Sequence, residues 1–308
     1  MTYQTTVSSD SSASPTHGSH PKPHYELIAL PARNDNYIWL IRNPTHAWVV
    51  DPSLAEPVRD YIAQHDLTLA DLLITHHHYD HVEGIAELTP LVQGRIIGDS
   101  ERIHGLTERV HAPTEFTLSF SDIRTQVLST PGHTYDHVSY YCPHLLQTPV
   151  LFCGDALFSA GCGRIFDGTM AQAFETIEQF IQLPDETLIA CAHEYTLSNL
   201  DFALRIQSAH KATQAHLNQV KYARERGLPS LPSSIGLEKR INPFCRAVRI
   251  GLSTEPLDTA WIEGLNHLAQ SVQLPAVSLA NVDTREPNAR KALALALFTL
   301  CRELKNRI

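Results

Sequence analysis

The sequence of 308 residues predicts an α/β domain followed by a mainly helical region. Between residues 37 and 193, several short segments are rich in Val, Ile, Leu and aromatic side chains, which is typical of strands. Helical patterns lie between some of them. After residue 195 the apolar residues recur mainly at helical spacing, so the second part of the chain should be mostly α-helix.

The predicted strands of the α/β domain span residues 37–43, 46–52, 71–75, 95–99, 123–130, 137–142, 149–155 and 187–193. The clearest helix begins at Thr169, which forms a capping box with Gln172, and it ends before Pro184. Within this helix Phe174 and Ile177 repeat at helical spacing. One face of this helix should therefore be buried.

Three helices are predicted in the second part, over residues 196–208, 211–227 and 287–308. The second helix ends at Gly227, a residue suited to a helix C-cap. The third opens with a proline in its first turn, where a missing backbone N–H has no cost. Residues 228–286 are harder to assign, because they contain a Pro- and Ser-rich stretch and have weak periodicity.

Composition divides the chain into three expected parts. Residues 1–24 are poor in apolar side chains and rich in Ser, Thr, Pro and His, which predicts a disordered leader. The α/β domain is expected over residues 25–195, and the helical domain over residues 196–308.

Charge and cysteine content disfavour several classes of protein. A net charge of -9 disfavours nucleic acid and anionic membranes as partners. No apolar run reaches the ~20 residues that a membrane-spanning helix needs. The six cysteines form no CxxC pair, which favours reduced thiols. Since residues 1–24 also lack the apolar core of a secretory signal, we expect a cytoplasmic protein.

One short segment, LLITHHHYDHVEG at residues 72–84, places four histidines and an aspartate directly after an apolar run. The same arrangement, with a possible metal ligand one to three positions past an apolar strand, recurs at His133, Asp155 and His193. Functional groups of layered α/β folds gather at one end of the strands. We therefore expect these segments to converge.

Spacing divides the possible ligands into two sets. Residues two apart do not share a helix face, so His76 and His78 can project together only from a loop or an extended segment. Asp80 and His81, in contrast, can open a helix. The first set is His76, His78 and His133, the second set is Asp80, His81 and His193, and Asp155 can bridge the two sets with its two oxygens. Two metal ions ~3.5–4 Å apart can hold a hydroxide and polarise a carbonyl, which is the chemistry of metal-assisted hydrolysis.

The words THHHYDH, TPGHT, CGDALF and AHEYT together resemble the motifs of the metallo-β-lactamase superfamily. This resemblance implies an α/β fold of four layers, an αββα sandwich, with a metal site at one edge of the sheets. The helical domain would be an addition to that sandwich. The motifs alone do not select a substrate.

The flanking words NDNYIWLI, GDALFSAGCGRIFDGT, HEYTLSNLDFA and RINPFCR are similar to the glyoxalase II family, the hydroxyacylglutathione hydrolases, over about residues 26–250. The resemblance implies hydrolysis of the thioester S-D-lactoylglutathione to D-lactate and glutathione by a hydroxide that bridges two metals, a step of methylglyoxal detoxification. It implies a catalytic domain over residues 25–195 and a substrate-binding helical domain over residues 196–308. In that family Asp155 would bridge both metals, and Asp80 would act with it as a catalytic carboxylate.

The same resemblance assigns the substrate contacts and the cofactor. Arg164 and Tyr195 match residues that contact glutathione, and Arg246 is a candidate for binding a glutathione carboxylate. Phe166 stands where some members carry a tyrosine that touches glutathione. The expected cofactor is a pair of divalent zinc ions, with iron or manganese as alternatives, since imidazole and carboxylate ligands accept all three. A monomer acting on a small glutathione thioester is expected.

Several alternatives remain open from the sequence. A persulfide dioxygenase would use one iron with two histidines and one aspartate. A β-lactamase should carry an export signal, and an RNA-processing nuclease should show a basic face. Outside enzymes, the metals could be structural in an interaction module, although structural zinc sites are usually closed shells rich in cysteine.

Overall fold

The computed structural model describes residues 5–8, 24–280 and 282–308, with only the backbone described for residues 5–8. Contacts divide the chain into two compact units. Unit 1 comprises residues 1–129 and 138–154, and unit 2 comprises residues 130–137 and 155–308. In the part of the chain that the structure describes, none of the helices combines the length and apolar character needed to cross a membrane.

Unit 1 contains a seven-stranded sheet in which every strand neighbours the next in the chain. Its strands are β1 (Thr5–Ser8), β2 (Glu26–Ala32), β3 (Asn36–Arg42), β4 (His46–Val50), β5 (Thr68–Leu73), β6 (Ile96–Gly98) and β7 (Glu108–Arg109). The first four strands pair antiparallel, and β4 to β7 pair parallel. Parallel pairing of β4 with β5 requires a crossover, which helix α1 (Glu56–Gln64) supplies.

Four further strands of unit 1 pair antiparallel in sequence order and pack against the first sheet. They are β8 (Thr114–Thr117), β9 (Arg124–Ser129), β10 (Val138–Cys142) and β11 (Val150–Gly154). The buried hydroxyl of Tyr140 on β10 donates to the carbonyls of Ile74 and Ile97, at 2.9 and 3.2 Å. Two sheets are therefore stacked in this unit.

Helices cover the other face of the first sheet. Side chains of α1, including Val58 and Tyr61, share one apolar core with alternate strand residues such as Ile38 and Leu40. Three short helical segments follow β5: α2 (Tyr79–Val82), α3 (Ile85–Leu88) and the 3-10 turn Thr89–Leu91. Because strand residues alternate between faces, β3 can be buried on both sides, as its burial pattern shows.

Unit 2 is mostly helical. Its helices are α4 (Met170–Phe180), α5 (Thr196–Ile206), α6 (Lys211–Arg224), α7 (Ile235–Ile241), α8 (Pro243–Leu252), α9 (Thr259–Ser271) and α10 (Pro287–Arg307). Its strands are β12 (Leu157–Phe158), β13 (Gly161–Cys162), β14 (Leu188–Cys191) and β15 (Ser233–Ser234). The predicted capping box of Thr169 and Gln172 is confirmed, as are the three predicted C-terminal helices.

Some elements differ from the sequence-based expectation. The prediction of a disordered leader is wrong for residues 5–8, because their backbone forms β1 and pairs with β2. Thr and Val have a high strand propensity, and this pairing covers an edge of β2 that would otherwise be exposed. Residues 1–4 and 9–23 of that leader lie outside the described residues. Residues 228–286 contain α7, α8 and α9, which the sequence analysis left unassigned. The two compact units also do not meet at residue 195, where the sequence placed the domain boundary. Residues 155–195 belong to unit 2 together with the helices that follow them.

Candidate functional site

The first group of possible metal ligands lies in unit 1, where the chain leaves β5. Residues 74–78 have no regular structure, and α2 begins at Tyr79. His76 and His78 therefore project from an irregular segment, whereas Asp80 and His81 lie in the first turn of a helix. This is the division that the spacing predicted.

The ligand atoms of this group are close together. Nε2 of His76 lies 3.1 Å from Nδ1 of His78, and the rings of His76 and His81 have centroids 4.0 Å apart. Nε2 of His81 lies 3.9 Å from Oδ2 of Asp80. His76 and His81 are fully buried, and Asp80 is partly exposed. Buried imidazoles whose nitrogens converge beside a carboxylate are the donor set that divalent metals of borderline softness prefer.

Asp51 orients two of these histidines, although the sequence analysis did not select it. Its buried carboxylate accepts from the hydroxyl and the backbone N–H of Thr75, at 2.7 and 2.8 Å, and lies 3.0 Å from Nδ1 of His81. The Thr75 hydroxyl oxygen also lies 3.1 Å from Nδ1 of His76. Asp51 follows the apolar strand β4, so its position past a strand end was a signal available in the sequence.

Asn36 contacts the remaining carboxylate of this group. Its side-chain amide donates to the backbone carbonyl of Asp80 at 3.1 Å and to its Oδ2 at 3.3 Å. Asn36 opens β3 and is buried. The position of the Asp80 carboxylate is thus set by the first residue of β3.

The second group of possible ligands lies in unit 2 and comprises His133, Asp155 and His193. All three are buried. Oδ2 of Asp155 lies 3.4 Å from Nε2 of His133, and its Oδ1 lies 3.3 Å from Nε2 of His193. Each oxygen of this one carboxylate therefore faces a different histidine, which is the geometry expected of a bridging ligand.

A backbone carbonyl sets the ring orientation of His133. Nδ1 of His133 lies 2.8 Å from the carbonyl oxygen of Arg164, so Nδ1–H donates there and Nε2 is directed at Asp155. Gly163 makes this approach possible, since a Cβ at that position would lie 2.0 Å from the carbonyl oxygen of Asp155 and 2.9 Å from Nδ1 of His133.

His137 supports Asp155 and was also missed from the sequence. Its Nε2 accepts from the backbone N–H of Asp155 at 3.4 Å, and its Nδ1 lies 2.8 Å from the hydroxyl of Thr130. His137 is buried. Its place at the start of a predicted strand gave no sign of this role.

Two of the predicted substrate contacts lie beside the second group. Tyr195 is partly exposed and its ring stacks on His193, with centroids 4.8 Å apart and an interplanar angle of 2°. The side chain of Arg164 is exposed, and the backbone carbonyl of the same residue orients His133. Phe166 is 65% exposed, with its ring edge-on to His133 at 5.2 Å, so it offers an apolar surface without a hydroxyl.

Arg246 has different surroundings from those expected of a substrate contact. Its guanidinium donates to Gln207 at 3.0 Å, pairs with Asp258 and lies 5.3 Å from the ring centroid of Trp261. Burial lowers its pKa from the usual value. Asp258 caps α9, so Arg246 ties α8 to α9.

Burial shifts the pKa values of two further ionisable groups of unit 2, Cys162 and Lys305. Burial raises the pKa of the Cys162 thiol, which makes it a poor nucleophile at neutral pH. Burial also lowers the pKa of Lys305 to about 8, and the nearby cations Arg302, Arg205 and Arg164 act in the same direction. All six cysteines are buried and have free thiols.

The stacked sheets, the helical layer and the two histidine and aspartate groups define a metallo-β-lactamase fold with groups suited to divalent metal ions. The family model described as "Metallo-beta-lactamase superfamily" matches residues 33–193, and the one described as "Hydroxyacylglutathione hydrolase C-terminus" matches residues 194–308. The predicted fold class is thereby confirmed.

Curated relatives identify the particular family. The chain is 44% identical over 228 residues to a hydroxyacylglutathione hydrolase of Shewanella baltica, covering 72% of this chain and 85% of the relative. It is 42% identical over 240 residues to one of Aeromonas hydrophila, covering 72% and 86%. Among solved structures it is similar to ETHE1 of Myxococcus xanthus, with a TM-score of 0.51, 26% identity and coverage of 83% and 94%. The chain belongs to the hydroxyacylglutathione hydrolase family.

Proposed function

We propose that this chain hydrolyses the thioester S-D-lactoylglutathione to D-lactate and glutathione with the help of two divalent metal ions. Family membership supports the substrate class. The observation that carries the metal proposal is the placement of Asp155, whose two oxygens face His133 and His193 separately. A carboxylate in this position is suited to bind one metal with each oxygen.

The proposed ligands of metal one are His76, His78, His133 and Asp155, and those of metal two are Asp80, His81, His193 and Asp155. The donor chemistry fits, because every proposed ligand is an imidazole or a carboxylate. Orientation within each unit fits as well, since Asp51 and the Arg164 carbonyl hold the second ring nitrogens of His81 and His133. When bound, two such ions supply an activated hydroxide and polarise the thioester carbonyl.

The residues of the chain then need to supply little acid catalysis. A thiolate is a good leaving group near neutral pH, so no strong general acid is required. Binding of the substrate is the larger task for an acidic protein, because glutathione carries carboxylates. The exposed guanidinium of Arg164 is the proposed cation for one of them, and Tyr195 is the proposed neighbour of the glutathione backbone.

Zinc is the proposed metal, with iron and manganese as alternatives that metal analysis of the purified protein would distinguish. We also propose that the enzyme acts as a monomer in the cytoplasm. The six free thiols support a reducing compartment. Size-exclusion chromatography with light scattering tests the monomer.

The test of the reaction is the loss of thioester absorbance from S-D-lactoylglutathione, with and without prior chelation. We expect rapid hydrolysis that chelation removes and zinc restores. Absence of hydrolysis by metal-loaded protein would contradict the proposed substrate, and glutathione persulfide with oxygen would be assayed next. Hydrolysis that survives complete metal removal would contradict the proposed metal chemistry.

Variants assign the roles. His78→Ala and Asp155→Asn should each abolish turnover and reduce the bound metal, whereas Arg164→Ala should mainly raise KM. Asp185→Asn is the matched control for Asp155→Asn, because Asp185 is an exposed carboxylate of the same unit that pairs with Lys239. Near-normal turnover of Asp155→Asn with two metals bound would contradict the bridging role.

A further inference from the structure

Helix α10 carries a buried arginine, Arg302, that binds the chain two residues before Arg164, whose carbonyl contacts His133. Arg302 is 4% exposed, and its guanidinium donates to the backbone carbonyl of Cys162 at 2.8 Å. The same side chain donates to Asn306 at 3.1 Å and lies 5.4 Å from the ring centroid of Phe244. A buried cation is costly unless it is hydrogen-bonded, so this contact with the Cys162 carbonyl is an important part of its stabilisation.

The carbonyl that Arg302 holds precedes a segment in close contact with His133. Cys162 ends the β12–β13 hairpin, and it is followed by Gly163 and Arg164. The carbonyl of Arg164 accepts from Nδ1 of His133 at 2.8 Å. Two residues therefore separate the anchored carbonyl from the carbonyl that orients the imidazole.

The hairpin has other anchors, but they act earlier in the chain. The side-chain amide of Asn242 donates to the carbonyls of Phe158 and Gly161, at 3.1 and 2.9 Å. Arg302 holds the next carbonyl, the last one before Gly163. On the other side, the backbone N–H of Phe166 donates to the carbonyl of His133 at 3.0 Å, so this bond and the Arg302 contact hold the two ends of the segment that carries the Arg164 carbonyl.

We infer that Arg302 is a positioning residue for His133. By holding the Cys162 carbonyl, it fixes the segment of residues 162–164 and thus the carbonyl that sets the orientation of the imidazole. This inference rests on the proposed function, in which His133 binds a metal. Through it, the C-terminal helix contributes to metal affinity without contacting the metal.

The same helix offers a matched control. Arg290 is also buried, at 7% exposure, and it donates to the backbone carbonyls of Ile250 and Thr284, at 2.6 and 3.3 Å. Neither of those segments contains a proposed metal ligand. Loss of Arg290 therefore reproduces the loss of a buried arginine from α10 while leaving residues 162–164 in place.

The experiment compares Arg302→Met, Arg302→Lys and Arg290→Met in the full-length protein. Zinc affinity is measured by competition with a chromophoric chelator, and the visible spectrum is recorded after cobalt substitution. Loss of a partner that orients a metal-binding histidine typically weakens metal affinity by about 10–100-fold. Because the contact of Arg302 with His133 is indirect, we expect Arg302→Met to lose about tenfold, at the position of metal one only. The cobalt spectrum of Arg302→Met should change, and that of Arg290→Met should match the wild type.

Arg302→Lys should lie between the wild type and Arg302→Met, because an ammonium group can donate to a carbonyl but lacks the planar fork. Unfolding temperatures establish that each variant is folded. If Arg302→Met does not fold, Arg302→Gln, whose side chain ends two bonds short of Nη1, provides the test, and zinc affinity equal to that of the wild type would overturn the inference.

The outcomes separate this inference from the proposed function. A wild-type protein that binds no metal would overturn the metal centre, and this inference with it. A wild-type protein with two metals, together with unchanged affinity and cobalt spectrum in Arg302→Met, would overturn the role of Arg302 alone. Equal losses in Arg302→Met and Arg290→Met would also overturn it, because they would indicate a general loss of helix packing.

Discussion

Replacing Gly163 by alanine should disturb the second ligand group without changing any proposed ligand. The glycine lies between the Cys162 carbonyl and the Arg164 carbonyl that orients His133. An added Cβ would lie 2.0 Å from the carbonyl oxygen of Asp155 and 2.9 Å from Nδ1 of His133. Both contacts involve proposed metal ligands, so the methyl group cannot be accommodated by moving a distant side chain.

The size of the effect follows from these distances. Real Cβ atoms essentially never approach a heavy atom closer than 3.0 Å, so the backbone at residue 163 and that of Asp155 must separate by at least 3.0 − 2.0 = 1.0 Å. A misplacement of ~1 Å in catalytic geometry costs about 100-fold in rate. We therefore expect Gly163→Ala to lower kcat/KM about 100-fold and to weaken metal binding.

The assay is thioester hydrolysis at saturating zinc, with metal content and unfolding temperature measured on the same sample. Gly251→Ala is the matched control, since a Cβ there lies in helix α8 and meets the Ala294 methyl at 3.1 Å. It should retain wild-type activity. A folded Gly163→Ala enzyme with wild-type kcat/KM and two bound metals would refute the reasoning.

Two further predictions concern ionisable groups. A lysine in the unfolded chain has a pKa of 10.5, whereas burial lowers the pKa of Lys305 in the folded protein to about 8. Between these two pH values the unfolded chain binds more protons than the folded protein. The free energy of unfolding should therefore rise with pH in this range. The unfolding temperature of the wild type should accordingly rise relative to that of Lys305→Met from pH 8 to pH 10, and a constant difference would contradict the lowered pKa. All six thiols are buried, and burial raises the pKa of Cys142 to about 12. An aromatic disulfide reagent should titrate six thiols only after unfolding, and rapid reaction of a native thiol would show that it is accessible.

The sequence predicts best where one strong local pattern dominates. Apolar strands followed by ligand-type residues indicated seven candidate ligands, which the structure gathers into one group in each unit, and the irregular segment of His76 and His78 followed from their spacing alone. Capping chemistry likewise identified Thr169 as the N-cap of α4. These features depend on residues close together in the chain, so a single sequence is sufficient to find them.

Contacts between distant residues were harder to predict. The pairing of Arg246 with Asp258, twelve positions away, was not predicted. The helices of residues 228–286 were also missed, although α8 and α9 are 10 and 13 residues long, because the Pro- and Ser-rich stretch before them gave no clear starting point. The role of Arg302 depends on a partner 140 positions away, which no local pattern indicates.

Asp51 shows how such a distant contact can influence both proposed metals. Its carboxylate lies 3.0 Å from Nδ1 of His81, and it accepts from the Thr75 hydroxyl, whose oxygen in turn can accept from Nδ1 of His76. One buried carboxylate thus orients a histidine of each proposed metal.

Asp51→Asn tests this, because the residue has a φ of 52° and asparagine tolerates that left-handed conformation. The amide group cannot accept from both Thr75 and His81 as the carboxylate does, so we expect metal affinity to fall about 10–100-fold at both positions. Chelator competition measures both affinities. A loss confined to one metal would show that Asp51 orients only one of the two histidines, and unchanged affinity at both would refute its role.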